Sequence, residues 1–104
     1  MRIAYTLVEK IMCIELICRE CITEEETKRQ YKRIQSFLDI RSVGSIVAKC
    51  RNYVSLVNNV YPHMTLNPHI KPLSGVERDS KILRTTDSEL LMSMLLVLKA
   101  CVNK

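Results

Sequence analysis

The side chains best suited to chemistry are five cysteines and two histidines. Cys13, Cys18 and Cys21 lie close in sequence, and His63 and His69 follow downstream. Zinc asks for four such ligands in a tetrahedron, often from closely spaced pairs in turns. On a helix Cys18 and Cys21 share a face, but Cys13 points ~140° away from Cys18 at ~100° per residue. The glycines and turn residues of a zinc knuckle are missing around them. The thiols therefore read as small hydrophobes of a core, in a reducing compartment. A catalytic thiolate beside His63 or His69 would need an exposed electropositive niche, and the sequence marks none. Paired carboxylates occur only where helices begin, and no glycine-rich phosphate loop is present. No enzymatic activity, metal or cofactor is expected.

The cations form the stronger pattern. Lys28, Arg29, Lys32 and Arg33 cluster, and Arg41, Lys49 and Arg51 follow. Between Thr27 and Asn59 these seven face a single acid, Asp39. Ser45, Asn52, Ser55 and Asn59 fall between them, as donors for phosphate or ribose oxygens. The plainer reading is a solvated helix face with weak surface pairs among Glu24, Glu25 and Lys28. The excess of cations over acids favours an anionic partner. Low aromatic content, 5%, argues against a platform that stacks single-stranded bases. Duplex RNA is read by shape, through phosphate and 2′-hydroxyl contacts, and a long helix suits it. A DNA operator would be served by a short recognition helix after a tight turn, and that spacing is not evident.

The elements that must carry these residues are helical. The chain has 104 residues, 47% hydrophobic, with two glycines and three prolines. One domain with one modest core follows. The net charge of +5 and pI near 9.1 permit nucleic acid or an anionic membrane surface as partner. Glu9 and Lys10 interrupt the first apolar run too early for a secretory signal. The apolar run from Leu90 to Leu98 is far shorter than the ~20 residues of a bilayer span, so a soluble protein is expected.

A first helix is expected from about Arg2 to Cys21, with Ile3, Leu7, Ile11, Ile14, Cys18 and Cys21 three and four apart. Thr23 and Glu26 fit a capping box that opens a second helix. From Thr23 to Tyr61 the chain reads as one extended amphipathic helix or two abutting ones, stopped by Pro62. Tyr31, Ile34 and Leu38 form one stripe. Ile40, Val43, Val47, Cys50, Val54, Val57 and Tyr61 form a second, rotated one, so a bend near Ser36 to Asp39 is expected. The opposite side holds Arg41, Ser45, Lys49, Asn52 and Asn59. Gly44 reads as a weak point or a site of close helix approach. Pro62, Pro68, Pro72 and Gly75 make 62–80 a loop. Thr86-Asp87-Ser88-Glu89 is a second capping pattern, before a helix apolar nearly all round. Such a helix must be enclosed, and a chain this short implies a dimer to do it.

This order of parts resembles the small RNA-silencing suppressors of nodaviruses. The likeness covers roughly residues 1 to 73: an apolar helix, a short linker, a long basic helix ending near Pro62, and a proline-bounded segment. It is a likeness of layout and size. It implies an antiparallel homodimeric bundle that binds double-stranded RNA without sequence preference, shielding it from dicing and from loading into the silencing complex. The comparable positions here are Arg41, Lys49, Arg51 and Asn52. The helix from Ser88 to Val102 has no counterpart in that layout.

The expectation is thus an all-α chain, a helical hairpin over 1–61, a loop over 62–80 and an apolar helix over 81–104. Its expected function is cytoplasmic binding of double-stranded RNA by a homodimer. The expected surface is Lys28, Arg29, Lys32, Arg33, Arg41, Ser45, Lys49, Arg51, Asn52 and Asn59. The alternative is a helical module that binds a host regulatory protein through the apolar seam and the C-terminal helix.

Overall fold

Hydroxyl side chains open three of the helices. The computed structural model describes residues 4–19, 23–37, 41–61, 64, 66–73 and 87–102. Thr6 caps α1 (Leu7–Ile17). Its Oγ1 accepts from the Glu9 amide at 3.2 Å, and Glu9 Oε1 accepts from the Thr6 amide at 2.9 Å. The two side chains thus satisfy two backbone donors that a helix start leaves open. Thr23 Oγ1 accepts from the Glu26 amide at 3.1 Å ahead of α2 (Glu24–Phe37). Ser42 Oγ does the same for Ser45 at 3.1 Å ahead of α3 (Val43–Val60). The fourth helix, α4, runs Ser88–Val102. No strand occurs among the described residues.

The basic stretch is therefore two helices. Helix α2 ends at Phe37 and α3 begins at Val43, and the apolar phase of the sequence slips between them, with Leu38, Asp39 and Ile40 outside the described residues. An unbroken rod would span ~57 Å at ~1.5 Å per residue, and the longest dimension of the molecule is 38 Å. Gln35 Nε2 donates to the Arg41 carbonyl at 3.2 Å across the break. The first helix is shorter than the 2–21 expected, since Thr6 starts it and it stops at Ile17. Helix α4 covers the expected apolar stretch Ser88 to Val102, and the remainder of the expected 81–104 span, 81–86 and 103–104, lies outside the described residues apart from Asp87.

Helix α1 lies at the centre and packs against α2, α3 and α4, while α3 also packs against α2. Cys13, Ile14, Leu16 and Ile17 of α1 meet Tyr31 and Ile34 of α2, the α3 residues Ile46, Cys50, Tyr53, Val54, Leu56 and Val57, and Leu91 and Leu95 of α4 in one core. Burying each large apolar side chain contributes about 1.5–3 kcal/mol. The seam expected to receive a partner helix is thus used inside the chain. Val54, at 2% exposure, is core.

Asn67 pins part of the loop. It is buried, its amide donates to the Ile17 carbonyl at 2.8 Å, and its Nδ2 donates to Thr27 Oγ1 at 3.3 Å. Its Oδ1 accepts from the His69 amide at 2.9 Å, and Ile70 is buried beside it. Cys21, His63 and the 74–86 stretch lie outside the described residues. No helix among the described residues is long and apolar enough to cross a membrane.

Candidate nucleic-acid interface

The expected site divides into two unlike parts. Lys28, Arg29, Lys32 and Arg33 are all exposed. At ~100° per residue they span ~140° of α2, on the far side from buried Thr27, Tyr31 and Ile34. No acid lies between Thr27 and Phe37. Glu24, Glu25 and Glu26 occupy the first turn, where the helix dipole favours them. Glu24 reaches Lys28 at 3.8 Å, with both side chains about 70% exposed. A pair so exposed is screened by water and leaves the Lys28 ammonium available to a phosphate.

Arg41 and Lys49 are a correction to the expected surface, because both turn inward. Arg41 is 8% exposed and precedes α3. Its Nε donates to Glu9 Oε2 at 2.5 Å and its Nη2 to the Ala4 carbonyl at 2.6 Å. Its guanidinium lies 3.8 Å from the centroid of the Tyr5 ring. Lys49 is drawn in for a geometric reason. The buried residues of α3 cover an arc of ~160°, from Leu56 to Val54, because α3 packs on two helices. Lys49 falls inside that arc, between Tyr53 and Leu56. Its Nζ lies 3.3 Å from Asp87 Oδ2, over the rings of Tyr5 and Tyr53 at 5.1 and 5.2 Å.

Asp87, just ahead of α4, is the centre of this knot. Its side chain is 2% exposed. Lys10 Nζ meets its Oδ1 at 2.6 Å, and the Tyr53 hydroxyl donates to its Oδ2 at 3.2 Å. Burial pushes the Asp87 carboxyl up, but the bond from Lys10 and the charges of Lys49 and Lys10 override it and hold it below its usual 3.8. The Arg41 bond, outweighing burial, holds the Glu9 carboxyl below its usual 4.5. Burial, then the charge of Asp87, pushes the Tyr53 hydroxyl up, so it stays a donor. No buried side-chain nitrogen or oxygen lacks a hydrogen-bond partner among the described residues. The knot is saturated, and its chemistry is to fasten α1, α3 and α4 together.

The remaining expected residues lie along α3. Ser45 is half-buried, with its Oγ 2.8 Å from the Tyr5 hydroxyl. Arg51 is half-buried, and its Nε donates to the Lys71 carbonyl at 3.0 Å. Asn52 is half-buried and Asn59 exposed. Among the described residues no group of three or more His, Cys, Asp or Glu could hold a metal ion.

Sequence reasoning missed Tyr5, Glu9, Lys10, Tyr53 and Asp87 as partners of the cations. One signal was available: Thr6-Leu7-Val8-Glu9 has the spacing of a capping box, which anchors Glu9 and so marks a fixed carboxylate. No protein-family model, curated protein or solved structure matches this chain. The layout of the nodaviral suppressors includes one long basic helix ending near Pro62, where this chain has two, α2 and α3.

Proposed function

We propose that this chain binds double-stranded RNA without reading its sequence, through the outward face of α2, and that it suppresses RNA silencing by shielding the duplex. The observation that carries this reading is the exposed cluster Lys28, Arg29, Lys32 and Arg33, free of acids from Thr27 to Phe37. Two side chains from each of two adjacent turns suit a line of phosphates better than a compact acidic pocket. Phe37, 67% exposed and one turn beyond Arg33, is a single aromatic beside this face where a stacking platform uses several, which favours a paired over an unpaired strand. Arg41 and Lys49 support the fold in this reading and do not touch the RNA.

A gel shift with a short RNA duplex, a DNA duplex and single strands tests it. Affinity for duplex RNA should fall steeply with salt, since each neutralised phosphate releases counterion. Lys32→Ala with Arg33→Ala should weaken binding and lower the salt slope by roughly one unit per cation removed. Helicity should stay unchanged, because both positions face solvent. The same pair should lose its protection of the duplex against a double-strand-specific ribonuclease. Unaltered affinity when all four cations are replaced by alanine would refute the reading, as would no binding at ~0.15 M salt.

A further inference from the structure

The outward face of α4 carries a pattern independent of the RNA reading. Leu91 and Leu95 face the core at 2% and 1% exposure. Met92 (41%), Leu96 (57%) and Val97 (58%) face solvent, with Ser93 and Ala100 exposed beside them. One charge stands at each end of this strip, Glu89 in the first turn and Lys99 in the last. At ~100° per residue Met92, Leu96, Glu89 and Lys99 fall within ~80° of one another. The helix thus presents an apolar strip with an acid at its start and a base at its finish.

The spacing says what fits there. Glu89 and Lys99 lie equally far from Met94 along the helix, and so do Met92 and Leu96. A second α4 laid antiparallel, with a two-fold axis level with Met94, therefore brings Glu89 opposite Lys99 twice and Met92 opposite Leu96 twice. A parallel pair would set Glu89 against Glu89 and Lys99 against Lys99, which repel. One axis position satisfies both the charges and the apolar residues. Ser93 and Ala100 are small enough to let the backbones approach. We infer that α4 pairs with α4 of a second copy of this chain, antiparallel about a two-fold axis level with Met94. The interface is isologous and closes on itself, giving a dimer and no longer array.

Sedimentation velocity on the whole protein, with reductant present so that the exposed Cys101 cannot cross-link, tests this. The wild type should move from monomer to dimer between about 1 and 200 µM, as suits an interface one helix wide. Leu96→Asp should weaken dimerisation by roughly tenfold or more, since it sets a charge in the strip. Circular dichroism should be unchanged, because Leu96 faces solvent in the monomer. Glu89→Lys and Lys99→Glu should each weaken the dimer, and the double reversal should restore it. A wild type that stays monomeric throughout, trimers or larger species, a dimer indifferent to Leu96→Asp, or a double reversal no better than the single ones would overturn the inference. The α2 cations are untouched by these variants, so this outcome is separable from RNA binding.

Discussion

Single residues decide which cations remain for a partner. Arg41 reads from the sequence as one of a row of surface charges, yet its carboxylate partner, Glu9, is 32 residues away. No local pattern encodes such a pairing, whereas the Thr6 cap that fixes Glu9 is encoded within four residues. Replacing Arg41 with alanine leaves the Glu9 carboxylate buried without its counter-charge. The expected loss is about 3 kcal/mol, read as a lower urea midpoint, with partial recovery in the Arg41→Ala, Glu9→Gln double variant. The same carboxylates set the acid response. Both Glu9 and Asp87 hold folded pKa values below their ordinary 4.5 and 3.8. The unfolded chain therefore binds more protons as pH falls, so their stabilisation is complete above about pH 5 and is lost as pH drops through the folded values. Urea midpoints taken from pH 7 to pH 2.5 should decline below pH 4.5, and Glu9→Gln should flatten part of that decline.

Elements were legible where their punctuation is local. The hydroxyl of Thr23 ahead of α2 and the carboxylates in its first turn, like the apolar run of α4, mark their helices directly. The break between α2 and α3 shows as a slip in apolar phase. The burial of Lys49 was not legible, because the width of a buried arc depends on how many helices flank it. The apolar seam of α3 suggested one neighbour, while the helix has two. Gly44 is a second case. It reads as either a weak point or a close approach, and a Cβ there would meet only Ser42 Oγ at 3.9 Å. Nothing crowds it, so Gly44→Ala should stabilise the protein by about 0.5 kcal/mol, less than a mid-helix exchange because the site lies in the first turn. A rise in thermal midpoint with an unchanged spectrum would show it. A fall would mean that another chain occupies that spot.

At the scale of the whole molecule, the two outward surfaces lie on different helices. Four cations cover one side of α2, and an apolar strip covers one side of α4, while α1 supports both from the centre. The all-helical class follows from composition and period, but the arrangement of helices around α1 does not, since it depends on contacts between distant segments. With a radius of gyration of 13.0 Å, the chain is as dense as a folded globule of its length. Its cysteines are graded through that density. Cys101 is exposed, Cys18 is half-buried with its thiol pushed up to about 11 by burial, and Cys13 and Cys50 are fully enclosed between α1 and α3. Cys50 Sγ reaches the Cys13 carbonyl at 3.9 Å, and its thiol pKa is raised by the hydrogen bond with Cys13 and by burial. The molecule consequently carries its own clock for breathing. A thiol-specific dye should label Cys101 at once and the enclosed pair more than about a thousandfold later, and that delay reports the free energy at which α1 and α3 part.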